Sequence, residues 1–247
     1  MSDQNTPVAT TPVAQNPSWM IPGSIVLAGA LISGAVLFGL RGTPAPAPVV
    51  ATAPTAAPTA PSVDIAKVHT DGNPFIGKAD APVTVAIWSD YQCPFCKRFD
   101  QTAVRQLITD YVDSGKVKVV FKDFAFLGSD SDDASRIARA VWEVAPDKFE
   151  AWHSAMFDKQ DAENSGWGNE GDILALTKSL GIDATKVANL AKSKADEYQK
   201  NIDADKAEAD TFGINGTPGT IIGTQLLSGA MPYSNVKTLV EKALASK

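Results

Sequence analysis

The chain has 247 residues, with Lys+Arg 22 against Asp+Glu 28 and a formal net charge of −6. Hydrophobic residues make up 44% and charged residues 20%, too apolar for a wholly disordered chain and too acidic for a dedicated nucleic-acid binder. Two cysteines exclude a disulfide-dense miniprotein and leave one globular domain plus non-globular material.

Residues 1–18 are polar, with Asp3 as their only charge, and read as a disordered N-terminal tail. From Trp19 to Leu40 no residue is charged. As a helix this run spans roughly 30 Å, the thickness of a bilayer's hydrocarbon core, and it predicts a transmembrane helix over 19–40. Gly23, Gly29, Gly34 and Gly39 suit a membrane helix, and Trp19 suits the headgroup boundary. A cleaved signal peptide is the competing reading. Its apolar region is normally about 7–15 residues and follows positive charge, whereas no Lys or Arg precedes this longer run. Residues 41–61 are rich in Ala, Pro and Thr, a semi-rigid spacer of polyproline II character. The lone Arg41 weakly favours a cytoplasmic position for this flank, but the cysteine chemistry below favours the opposite side.

The domain from residue 62 to 247 carries the whole net charge and is large enough for a single core. Val83–Trp88 and Val117–Phe121 read as buried strands. Between them, Phe99, Val104, Leu107, Ile108 and Tyr111 fall at helical spacing, so the segment reads as a βαβ unit closed by Gly115. A helical block follows, over about 129–212. Ser131 with Asp132 and Asp133 marks a helix start, and Phe149–Phe157, Asp172–Leu180, a helix capped by Asp183, and Ala195–Phe212 come next. Thr220–Ile222 and Gln225–Leu227 read as a hairpin across Gly223-Thr224, and Ser234 as the cap of a last helix, Val236–Ala245.

The chemistry concentrates at Cys93-Pro94-Phe95-Cys96, directly after a strand and at the start of a helix. Residues i and i+3 share one helical turn, so the two sulfurs can meet as a disulfide. A cysteine at a helix N-terminus meets unpaired N–H groups and the positive end of the dipole, which lowers its pKa and supplies the thiolate nucleophile. Pro94 fits the first helical position, where no N–H is needed. The expectation is that Cys93 is the exposed attacking sulfur and Cys96, one turn inward, resolves the mixed disulfide. Two alternatives stand beside the redox one. A structural bond across so short a loop stabilises weakly. A zinc site needs about four ligands, and His69 and His153 are distant in sequence. The second element is Gly216-Thr217-Pro218-Gly219, an ordinary turn when taken alone. A cis Thr217-Pro218 peptide would turn the Thr217 backbone toward the cysteines, where an incoming peptide can pair as an added strand.

With these residues in place, the chain resembles the DsbA-like branch of the thioredoxin superfamily. The stretch APVTVAIWSDYQCPFCKRF is close to membrane-tethered bacterial members, and the resemblance covers about Val68 to Lys247. It implies an α/β thioredoxin fold with an inserted helical subdomain and thiol–disulfide exchange on the periplasmic or extracellular face. By resemblance, Cys93 is the nucleophile, Cys96 the resolving cysteine, and Pro218 the cis-proline preceded by Thr217; Pro94 and Phe95 support the site. No cofactor and no metal are expected. The implied partners are cysteine-containing exported proteins, with a membrane quinone reductase for an oxidase or an electron donor for a reductase or isomerase. The sequence departs from the family at three places. Phe95 stands where the best-known oxidants have His. Ile87 stands where many relatives have a buried carboxylate that relays protons to the resolving cysteine, with Asp90 in the loop beyond. Thr217 is closer to isomerase-type relatives. A second function class, a tethered chaperone-like domain with a non-catalytic disulfide, is kept as the alternative.

Of the remaining residues, Trp88, Trp142, Trp152 and Trp167 read as core, His153 as a packed or half-exposed histidine, and His69 as peripheral. Lys97 and Arg98 either add positive potential or form a solvated face, and Lys192–Asp210 reads as a solvated helix face. Phe124–Leu127 reads as core packing, with a substrate groove as the alternative.

Overall fold

The structure, a computed structural model, describes residues 63–163 and 165–247. The tail, membrane segment and linker assigned to residues 1–61 lie outside these residues. Among the described residues no helix is long and apolar enough to cross a membrane.

Strand β1 is Phe75–Ile76, β2 is Val83–Ser89 and β3 is Val117–Asp123. Helix α1 begins at Pro94 and runs regularly to Phe99. The same helical path continues to Val112 through two wider turns, Asp100–Val104 and Ile108–Val112, in which Arg105 N–H reaches back to the Asp100 carbonyl. Helices α2 (Ser129–Val144), α3 (Phe149–Lys159), α4 (Glu170–Ser179), α5 (Ala184–Ser193) and α6 (Ala195–Thr211) follow. The chain closes with β4 (Gly219–Ile222), β5 (Gln225–Ser228) and α7 (Tyr233–Ala245).

The sheet has the order β1-β3-β2-β4-β5. Strands β2 and β3 are parallel, joined by the α1 crossover, and the other pairs are antiparallel. Central position explains why VTVAIWS is apolar without alternation: β2 is covered on both faces. Val83, Val85 and Ile87 pack with α1 and the inserted helices. Ala86 and Trp88 point the other way, onto Phe124, Phe212, Ile214 and Ile221. Gly223 turns the β4–β5 hairpin at φ +59°, in the left-handed region that a glycine enters without steric cost.

The five helices α2–α6 enter between β3 and β4, as the helical insertion into a thioredoxin-like sheet required. Asp183 caps α5 by accepting from Lys186 N–H. Two expected caps are not used. Helix α2 starts earlier, at Ser129, and the Ser131 hydroxyl instead donates to Asp90 at 2.7 Å. Helix α7 starts at Tyr233 after Pro232, and the Ser234 hydroxyl makes no cap bond. In both cases a tertiary partner or a preceding proline fixes the helix start before the serine is reached.

The insertion is tied to the sheet by buried charge. Arg139 of α2 donates to Asp123 at the end of β3 and to Asp205 of α6, both at 2.7 Å. Lys122 pairs with Asp205 at 2.5 Å and Glu208 at 3.0 Å. The charged face expected for 192–210 therefore hides one carboxylate, Asp205, in the same line as buried Tyr198, Ile202 and Ala209.

Candidate active site

Cys93 is the residue before α1, in extended conformation, and Pro94 occupies the first helical position as its missing N–H allows. Both cysteines are free thiols. The expectation of an exposed Cys93 is corrected: Cys93 is 3% and Cys96 2% exposed. The exposed part of the motif is Pro94 and Phe95, the latter 53% exposed with the Arg98 guanidinium over its ring at 5.0 Å.

The covering element is the loop before β4. The Thr217-Pro218 peptide is cis, and the Cys93 thiol donates to the Thr217 carbonyl at 3.6 Å. Cys93, Cys96, Thr217 and Pro218 are thus brought together across more than a hundred residues of sequence.

The two sulfurs have opposite acidities. Hydrogen bonding from the Cys96 thiol, against burial, lowers Cys93 from 9.0 to about 6, and Thr217 and the backbone N–H groups of Cys96 and Phe95 lower it further. Cys96 is raised well above its ordinary value, first by burial and then by Cys93. One sulfur is a thiolate at neutral pH and its neighbour keeps its proton, which is the asymmetry a nucleophile and a resolving thiol require.

Several residues that hold this geometry were not singled out by the sequence. Asp90 sits in the loop after β2, as expected, but it is fully buried. Its carboxylate accepts from Gln92 N–H at 2.8 Å, Phe126 N–H at 3.0 Å and Leu127 N–H at 3.3 Å as well as from Ser131. This bond set fixes the loop that delivers Cys93 and leaves Phe126 47% exposed beside buried Phe124. Gln160, just after α3, donates its side-chain amide to the Tyr91 and Cys93 carbonyls, and its own carbonyl accepts from Lys97 at 2.5 Å. No signal in the sequence marks Gln160, because its partners are backbone atoms 67 and 69 positions away.

Ile87 is buried and apolar, so β2 places no carboxylate at this position behind the cysteines. The buried acid is instead Asp100, four residues after Cys96 on the same helical path. That spacing puts both on one face, a signal the sequence did contain. His153 is buried, with Nδ1 and the Tyr91 hydroxyl 2.9 Å apart and Nε2 3.6 Å from Asp100 Oδ1. Burial holds it down to about 3, so it is neutral and this contact is not an ion pair. Among the described residues no group of three or more His, Cys, Asp or Glu is placed to hold a metal.

A thioredoxin family model matches residues 69–242. The chain belongs to the thioredoxin family. Disulfide bond formation protein D of Bacillus subtilis is 31% identical over 185 residues, which cover 71% of this chain and 79% of that protein. The crystal structure of oxidised BdbD from Bacillus subtilis superposes with a TM-score of 0.65 at 31% identity, covering 72% of this chain and 95% of that one. The thiol–disulfide exchange protein alpha-DsbA2 from Wolbachia pipientis gives 0.61 at 28% identity, with 69% and 86% covered. The domain is a DsbA-like thiol–disulfide oxidoreductase of thioredoxin fold, and the protein is an enzyme of that chemistry.

Proposed function

We propose that this protein is a membrane-anchored, extracytoplasmic thiol–disulfide oxidoreductase that exchanges disulfides with cysteine-containing exported proteins. In this reading residues 19–40 hold it to the membrane, residues 41–61 space the domain from the surface, and residues 62–247 do the chemistry. Cys93 is the nucleophile and Cys96 the resolving thiol. Thr217 and Pro218 receive the client backbone as an added strand, and Pro94 and Phe95 form the outer wall of the site. The single observation that supports it most is the opposed acidity of the two sulfurs, Cys93 near 6 and Cys96 well above its ordinary value.

The acidity also bears on direction. A thiolate stabilised in the reduced protein makes the disulfide a better oxidant. A Cys93 near 6 lies between thioredoxin, at about 7, and DsbA, at about 3.5. The reduction potential is therefore expected between roughly −270 and roughly −120 mV. The relatives named for disulfide bond formation favour donation of the disulfide to the client, with a membrane quinone reductase as the reoxidant. A value at the reducing end favours an electron donor instead.

Cys93→Ser tests the reading. Loss of insulin reduction and of dithiol-peptide oxidation is expected. Retained exchange sinks the assignment of Cys93, and client protection without any exchange in the wild-type protein replaces the enzyme by a tethered peptide-binding module. A reporter fused after Lys247 tests the topology, with an extracytoplasmic signal expected.

A further inference from the structure

The exposed part of the cysteine motif carries a cation that the chemistry so far does not use. The Arg98 guanidinium lies over the Phe95 ring at 5.0 Å, and both residues are exposed. They stand three apart, so they share one face of α1 directly beyond Cys93. A large aromatic ring left in solvent next to a nucleophile, with an arginine stacked on it, contributes nothing to the core.

The domain itself gives Arg98 no task. Among the described residues its guanidinium joins no ion pair. The carboxylates of this region are engaged elsewhere: Asp100 and Asp158 hold Arg105, and Asp161 accepts from the Gly166 and Trp167 N–H groups. The adjacent cation, Lys97, turns to the Gln160 carbonyl. Arg98 does not serve a helix end either. The helical path runs on to Val112, so the carbonyls of this turn are paired and present no negative pole. Nor does its charge set the acidity of Cys93, which is lowered by hydrogen bonds, from Cys96 first and then from Thr217 and the backbone.

Resting on the exchange reading above, we propose that Arg98, held flat on Phe95, is a specificity-determining residue that selects clients with an Asp or Glu two positions from the reacting cysteine. A guanidinium stacked by its face keeps its N–H edges free, and these edges match a carboxylate in bidentate fashion. The stack also restricts Arg98 before the client arrives, so less side-chain freedom is lost on binding. The position of the acid follows from strand geometry. A client that pairs with Thr217 is extended, so side chains two residues to either side of its cysteine leave the same face, roughly 7 Å away. With the client sulfur on Cys93, one of these two side chains falls on the Phe95–Arg98 face of α1. A carboxylate there pairs with Arg98, and a lysine there meets like charge, so the site discriminates by attraction and by repulsion.

The test uses the reduced full chain in a nonionic detergent. The probes are single-cysteine peptides joined through a disulfide to 2-thiopyridine, a neutral leaving group, with Glu, Gln or Lys two positions before or after the cysteine. The Cys93 thiolate attacks the peptide sulfur, the Cys93–peptide disulfide forms, and 2-thiopyridine leaves and is read by its absorbance. Cys96 then displaces the peptide as a thiolate, which takes a proton from solvent, and the Cys93–Cys96 disulfide remains. Each release rate is divided by that of the same peptide with glutathione, which removes intrinsic reactivity. At one of the two positions the Glu peptide is expected to react about threefold faster than the Gln peptide, and the Lys peptide more slowly, on the scale of an exposed charge pair. In Arg98→Gln the Glu-to-Gln ratio is expected to fall to unity, and in Arg98→Glu the order is expected to reverse, with Lys fastest. A ratio of unity at both positions in wild type, or an unreversed order in Arg98→Glu, overturns the proposal and leaves exchange intact. Wild-type protein that releases 2-thiopyridine from no peptide and never forms the Cys93–Cys96 disulfide overturns the exchange reading itself, and this inference with it.

Discussion

The side-chain amide of Gln160 donates to the Cys93 carbonyl at 3.2 Å and to the Tyr91 carbonyl at 2.6 Å, so the helical insertion grips the residue that carries the nucleophile. The Cys93 carbonyl also accepts from Cys96 N–H at 3.0 Å and Lys97 N–H at 3.1 Å, so the amide matters most to the buried Tyr91 carbonyl. Gln160→Ala leaves the Tyr91 carbonyl unpaired, at about 1–3 kcal/mol for such a loss. The expected result is a lower urea midpoint together with a higher Cys93 pKa, since the loop no longer holds the sulfur against the Cys96 thiol and the backbone N–H groups that lower it. Gln160→Leu, which keeps the bulk, separates the lost bonds from lost packing. Full stability and an unshifted thiol titration in both variants would remove Gln160 from the description of the site.

Cys93 fixes the pH dependence of reactivity. With its thiol lowered to about 6, alkylation by iodoacetamide is expected to rise with pH, reach half its maximum near 6 and level off beyond. Hydrogen bonding from Cys96 is the largest cause, so Cys96→Ala moves the midpoint upward and Cys96→Ser, which keeps a donor, moves it less. The sign for stability follows from the same shift. Between about 6 and 9.0 the unfolded chain binds more protons at this position than the folded one. The reduced protein is therefore expected to gain stability as pH rises across that window. It loses that contribution as pH falls through about 6. A reduced form with flat stability there contradicts the assignment.

The buried pairs at the base of the insertion predict a large, asymmetric cost. Lys122 is 1% exposed and faces Asp205 and Glu208, while Arg139 faces Asp123 and Asp205. Removing one cation strands carboxylates in a dry site, which costs about 3–5 kcal/mol. Lys122→Met and Arg139→Met should each lower the unfolding free energy in a urea titration by that order. Asp205→Asn, which weakens both pairs without stranding a like charge, should cost less. Equal effects from all three would mean that packing, not charge, holds α6 to β3.

The thioredoxin sheet, the cysteine motif and the helical insertion were readable because their signals are local. Strand β2 is a continuous apolar run, Pro94 can stand only at a first helical position, and Thr217-Pro218 is a dipeptide. Burial of Cys93 was not readable, because the chain that covers it arrives more than a hundred residues later. Asp205 illustrates a different limit. Its helical line with Ile202 and Ala209 is visible in the sequence, but a carboxylate there reads as solvated until the Arg139 and Lys122 partners are known. Asp100 is legible in principle, one turn from Cys96 on the same helical face, but its burial depends on α3, which arrives about fifty residues later.

Gly219 sets how closely the loop carrying Pro218 can approach the sheet. A Cβ on Gly219 would stand 2.5 Å from Ile214 Cγ2, closer than real Cβ contacts come. Gly219 pairs with Trp88 on β2 and with Ser228 on β5, so the backbone cannot shift without disturbing two ladders. Gly219→Ala must therefore displace Ile214 or the start of β4, and overpacking of this kind costs about 1–3 kcal/mol. Because Thr217 lies two residues upstream and accepts from the Cys93 thiol, the displacement should reach the sulfur. Lowered stability is expected together with slower alkylation of Cys93 at pH 7. The double variant Gly219→Ala with Ile214→Ala, which removes the clashing Cγ2, should recover part of the alkylation rate. A Gly219→Ala protein that is destabilised but alkylates at the wild-type rate would show that the Thr217 loop holds its position independently of β4.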